Sequence, residues 1–182
     1  MKKIFLLVIS LIVFILSGCA EKPVDISSLD ENYSTVISMP YAQLIGTNIS
    51  DFPKNAGVVT FSEEKQCYIL NKTIMEFSPF FVTDDTGVIK ITGFETEKNV
   101  DKDFVTYIKG LYNMLCSYYG SVEINPEIKQ RVNSINDISV CKDGEVFEEM
   151  WGYNGFPIEY KINFESGTGY IKIQYNKMPD IK

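Results

Sequence analysis

The sequence predicts an α+β domain: an antiparallel sheet, one long amphipathic helix over about residues 101–119 packed on one face, and a C-terminal β-hairpin. Three observations carry this. Phe104, Ile108, Leu111, Leu115 and Tyr118 fall on one stripe at the helical period. Ile158, Tyr160, Ile162 and Phe164 alternate with Glu159, Lys161 and Asn163, and the alternation resumes over residues 170–175. Between them, residues 58–94 break into short β-branched and aromatic runs divided by turn residues.

The chain opens on Lys2 and Lys3, an apolar run over residues 4–16 and then Leu16-Ser17-Gly18-Cys19. Positive charge, apolar run and small residues in that order make a secretory signal peptide, residues 1–18. The run is short for a membrane span. The cysteine set directly after Leu-Ser-Gly resembles the lipobox of bacterial lipoproteins. That resemblance implies cleavage before Cys19, lipidation of Cys19, and a home on the extracytoplasmic side of the cell membrane. The plainer alternatives are an ordinary signal peptide with a chance cysteine and an uncleaved anchor. The resemblance covers these residues alone and implies an address, not an activity.

Removing the leader leaves 164 of the 182 residues, enough for one domain with a core. Loss of its two lysines takes the net charge from −7 to −9. With no basic cluster, that balance argues against nucleic acid. It also argues against electrostatic adhesion to anionic lipid, so acyl chains must hold the protein at the membrane, and two hold far better than one. The chain has no histidine. Ser-His-Asp and Cys-His catalysis and His-ligated zinc are thereby excluded.

Residues 19–39 are polar and aperiodic and read as a lipidated tether; residues 40–182 read as the domain. Thr35-Val36-Ile37 could instead add an edge strand. Pro40 can open a short helix that Gly46 closes. Strands are expected at residues 58–61, 67–70, 73–77, 80–83 and 88–94. Asp84-Asp85-Thr86-Gly87 is the strongest hairpin turn. Asp101 and Asp103 suit a helix start, and Gly120 a helix stop. Asn125-Pro126-Glu127 resembles another helix start, running to Val132, and residues 138–141 a strand. Residues 145–151 fit either a helical turn or a strand.

Of the cysteines, the lipoprotein resemblance gives Cys19 to the lipid. An exported chain favours a disulfide among Cys67, Cys116 and Cys141. The preferred pair is Cys116–Cys141, one on the helix flank and one ending a strand, with Cys67 left as a thiol. The other pairings, and three free thiols, stay open.

Adjacent acids such as Glu63-Glu64 and Glu148-Glu149 lack the spacing of a glycosidase pair, and Asp84-Asp85 lacks that of a calcium loop. No cofactor and no metal is expected. The best binding residues are the aromatics Trp151, Tyr153 and Phe156 on a glycine-bearing loop, unless Trp151 tucks into the core. The expected function is a non-enzymatic, membrane-anchored binding lipoprotein with a protein or glycan partner in the envelope. Its rivals are an envelope hydrolase inhibitor and a His-free hydrolase working through carboxylates. The chain is too short for a two-lobed solute-binding protein.

Overall fold

The computed structural model describes residues 33–153 and 156–176, with the backbone alone for Phe156. The leader, Cys19 and its lipidation lie outside the described residues. No helix among the described residues is long and apolar enough to cross a membrane.

The fold mixes α and β around one antiparallel sheet of seven strands, ordered β1-β2-β3-β4-β7-β6-β5. The strands are β1 (Val59–Ser62), β2 (Cys67–Leu70), β3 (Ser78–Thr83), β4 (Ile89–Asn99), β5 (Val146–Tyr153), β6 (Phe156–Glu165) and β7 (Thr168–Asn176). They form two meanders, β1 to β4 and β5 to β7, that meet where β4 pairs with β7 over nine residues. Short connections force the antiparallel pairing within each meander. The chain passes from β4 to the far edge at β5 through the helix α2 (Phe104–Tyr119).

The turns follow from local chemistry. Asp84 Oδ1 accepts from Thr86 N (3.0 Å), Thr86 Oγ1 (2.6 Å) and Val88 N (3.0 Å), while Lys90 Nζ pairs with Oδ2 at 2.9 Å. One carboxylate thus shapes the β3–β4 hairpin. Ser166 and Gly167 both have positive φ, 52° and 74°, the two-residue turn whose twist matches β6 and β7.

Alternation then sorts the sheet. Phe147 and Trp151, Ile158 to Phe164 at every second position, and Ile171 and Ile173 are buried on one face. Phe104, Ile108, Leu111 and Leu115 of α2 are buried against them in the same cluster. At Gly169 a Cβ would stand 2.4 Å from the Phe104 ring, so the absent side chain lets the helix approach β7. The opposite face is polar, with Lys161 paired to Glu148, and Glu95 paired to Lys65 (2.6 Å) and Lys172 (3.7 Å).

Several expectations change. Tyr118, placed on the buried stripe, is 51% exposed. The tether ends before residue 39: Tyr33–Ile37 is a short helix, α1, and Tyr33, Val36, Ile37 and Met39 are buried in the main core. Residues 73–77 are no strand; Ile74 and Phe77 bond each other across a tight turn with Met75 at φ 55°. Residues 125–132 form no α-helix, and Ile138–Val140 is a 3₁₀ turn in place of a strand. The segment after α2 gains its order from β5, where Glu123 N donates to Met150 O (2.8 Å) and Glu148 N to Gln130 O (2.9 Å).

The Cys116–Cys141 disulfide is not formed: Cys67, Cys116 and Cys141 are all free thiols. Cys116 faces Tyr112 and Trp151, and Cys141 Sγ lies 4.0 Å from Asp137 O within its own turn. Burial raises the pKa of all three thiols, which lowers the thiolate fraction of each.

Candidate functional site

The aromatic residues expected to bind part company. Trp151 is fully buried, its ring 5.8 Å from that of Tyr112, because even spacing along β5 turns it to the core with Phe147 and Glu149. It is corrected from a binding residue to a core residue. Tyr153, two positions on and at the strand end, is 38% exposed. The side chain of Phe156 lies outside the described residues.

Tyr153 meets Tyr118, which the helical period assigned to the buried stripe, and its neighbour Tyr119. The Tyr153 ring is 5.0 Å from Tyr119, edge to face, and 6.4 Å from Tyr118; Tyr118 and Tyr119 are 4.9 Å apart. Tyr175 Oη donates to Tyr153 O at 3.5 Å from beneath. Tyr119 Oη donates to Ile37 O, which ties the patch to α1. The cluster sits where the last turn of α2 meets the ends of β5 and β7. The Tyr118-Tyr119 doublet in the last helical turn was the available signal, since neighbours stand 100° apart and one of them falls at the margin of a stripe.

Burial, then the neighbouring tyrosines, pushes the Tyr119 phenol well above its usual range, and Tyr175 is raised likewise. Those two phenols therefore keep their protons at physiological pH. The patch offers ring edges, hydroxyls and apolar area, with Tyr118 and Tyr153 outermost.

The ionisable clusters lie elsewhere, and the two carboxylates at their centres, Glu149 and Glu76, both have partners. Glu149 is fully buried on the core face; Arg131 Nε donates to its Oε1 (3.1 Å) and Nη2 to its Oε2. Glu76 accepts from Tyr33 Oη (2.8 Å) and pairs with Lys98 Nζ (2.7 Å), which also stands 4.5 Å over the Tyr107 ring. The Tyr107 hydroxyl is buried near the same carboxylate without hydrogen-bond geometry. Burial alone would raise the Glu76 pKa, yet Lys98 and the two tyrosines hold it below the usual carboxylate range.

Two grooves flank the C-terminal half of β4. One, of about 850 Å³, crosses the polar sheet face past Lys65, Glu95 and Lys172. The other, of about 540 Å³, lies between Lys98, Asp103 and Tyr107. The carboxylates whose acidity clearly shifts, Glu76, Asp84 and Asp137, all become stronger acids, the opposite of what a general acid requires. No group of three or more cysteines and carboxylates among the described residues is placed to hold a metal. Compared with protein-family models, curated proteins and solved structures, the chain matches none.

Proposed function

We propose that this chain is an exported, lipid-anchored, non-enzymatic binding module whose contact surface is the tyrosine patch of Tyr118, Tyr119 and Tyr153. In this reading the lipid on Cys19 holds the protein at the extracytoplasmic face of the cell membrane. The amphipathic stripe of α2, packed on one face of the sheet, is the scaffold that presents the patch. The partner is a protein or glycan of the envelope.

The observation that carries the reading is the exposure of Tyr118 and Tyr153 over a rigid, uncharged aromatic base. Exposed aromatics grouped on a fixed scaffold give contact area at low entropic cost. The acidified carboxylates and raised thiol pKa values supply no ready acid, base or nucleophile and favour binding over hydrolysis.

Two experiments test it. Metabolic labelling with a fatty-acid analogue should mark the native chain and leave Cys19→Ser unlabelled; retained label contradicts the anchor. Binding of the purified chain to isolated envelopes should fall at least tenfold in the Tyr118→Ala/Tyr153→Ala double variant, while Lys161→Ala on the polar sheet face binds normally. Equal binding by all three proteins contradicts the patch.

A further inference from the structure

We propose that β1 is a docking edge for a second copy of this chain, which joins two sheets antiparallel about a twofold axis through Thr60.

The two edges of the sheet are treated differently. At β5 the segment around residues 123–131 runs alongside and bonds to it, with Arg131 bridging to Glu148. At β1 no strand among the described residues lies beyond. An open edge is a template for pairing unless charge, proline or a bulge blunts it. Within β1 there is none of these: it reads Val59-Thr60-Phe61-Ser62, with Phe61 41% exposed and the preceding Val58 66% exposed.

The register shows what fits. Asn71 N donates to Val58 O at 2.8 Å, so Val58 and Asn71 form a hydrogen-bonded pair. Counting along the ladder, Thr60 opposite Ile69 and Ser62 opposite Cys67 also bond inward. The peptide groups of Val59 and Phe61 therefore point outward. These positions are two apart, so a twofold through Thr60 sets Val59 of each copy opposite Phe61 of the other. Outward groups then meet outward groups, and a β-branched–aromatic pair forms twice. That pair continues the apolar row of Phe61 and Tyr68, whose rings lie 5.1 Å apart, toward Phe81.

Charge agrees with this arrangement. The chain approaches β1 past Lys54 and leaves it into Glu63 and Glu64, all three exposed and unpaired among the described residues. Antiparallel docking brings the acidic end of one copy toward the basic end of the other. A parallel arrangement would place like charges together.

The test is a thiol cross-link in the full chain, in cells and after purification. Thr60 would face its own counterpart in a pair without mutual hydrogen bonds, with Cα atoms about 4.5 Å apart, inside the span of a disulfide. Thr60→Cys should give a dimer band as its main product under mild oxidation. Val58→Cys, whose counterpart sits four residues along, should give at least tenfold less. Val59→Pro removes an outward N–H and leaves the β1–β2 ladder intact, and should abolish the Thr60→Cys link while circular dichroism shows the chain still folded, although Val59 packs on the satellite core. Absence of the Thr60→Cys dimer overturns the proposal, and so does equal linking by Val58→Cys. A Thr60→Cys thiol that stays unlinked and resists alkylation would show that this chain covers its own edge, which also overturns it.

Discussion

The two halves of the sheet are built to different depths. The half made of β4, β7, β6 and β5 carries α1 and α2 and buries the main core, with Trp151, Tyr160 and Ile173 fully enclosed. The half made of β1, β2 and β3 shares a satellite core of Ile49, Phe52, Leu70, Phe81 and Ile89, closed by 3₁₀ turns at Pro40–Leu44 and Ile49–Asp51. One half has a covered edge, a buried ion pair and the tyrosine patch; the other has an open edge and short strands. The larger core predicts that the α2 side opens last, and the smaller one that β1 to β3 open first.

The largest effect should come from the buried ion pair. Arg131→Ala leaves the enclosed Glu149 carboxylate without its guanidinium and should cost about 3–5 kcal/mol in a urea melt. A loss under 1 kcal/mol would mean that the segment after α2 does not depend on β5. Next, Leu111→Ala or Leu115→Ala should cost about 2–5 kcal/mol globally, because both side chains are fully buried on α2. Phe52→Ala should instead lose amide protection first in β1 to β3. Equal protection loss in β6 would erase the distinction between the halves. Smaller still, Tyr160→Phe removes a buried hydroxyl that donates to Ile108 O at 3.2 Å and should cost about 1 kcal/mol.

Acid should act on both halves. Hydrogen bonds from Thr86 and the Lys90 pair depress the Asp84 pKa, and Glu76 is depressed as described. A carboxyl more acidic in the folded state stabilises it above the ordinary value near 4, and that contribution fades as pH falls through the folded value. The melting temperature should therefore be flat from pH 7 to 5 and fall below pH 4. In Asp84→Asn the fall should be shallower; an unchanged slope contradicts the role given to that carboxylate.

How much of this was legible in the sequence follows the same divide. Alternation over Ile158 to Phe164 is period two on a half-buried strand, so its buried face could be read directly. Leu111 and Leu115 could be read from their spacing. The Asp84 turn declared itself through residue types that bond their own backbone. The segment from Ser121 to Glu145 could not be read, because its order comes from distant partners, Glu149 and Met150, and not from a period. Helix α1 has five residues, too few to show a stripe, and its burial depends on Tyr107 and Tyr119. At the candidate site Tyr153 was visible as an aromatic of a glycine-bearing loop, which the structure makes the end of β5. Trp151 was not separable from it until β5 was known to be a strand, and the helix period carried Tyr118 onto the stripe although it lies in the last turn of α2.

The proposal that this protein meets its partner at the tyrosine patch has a direct test. A photo-cross-linking residue placed at Tyr118 in the otherwise native chain, and in parallel at Lys142, measures the contact in intact cells. The account predicts a discrete adduct from position 118 that disappears when Tyr153→Ala is added, and none from position 142. Adducts of equal yield from both positions, or none from position 118, would contradict it.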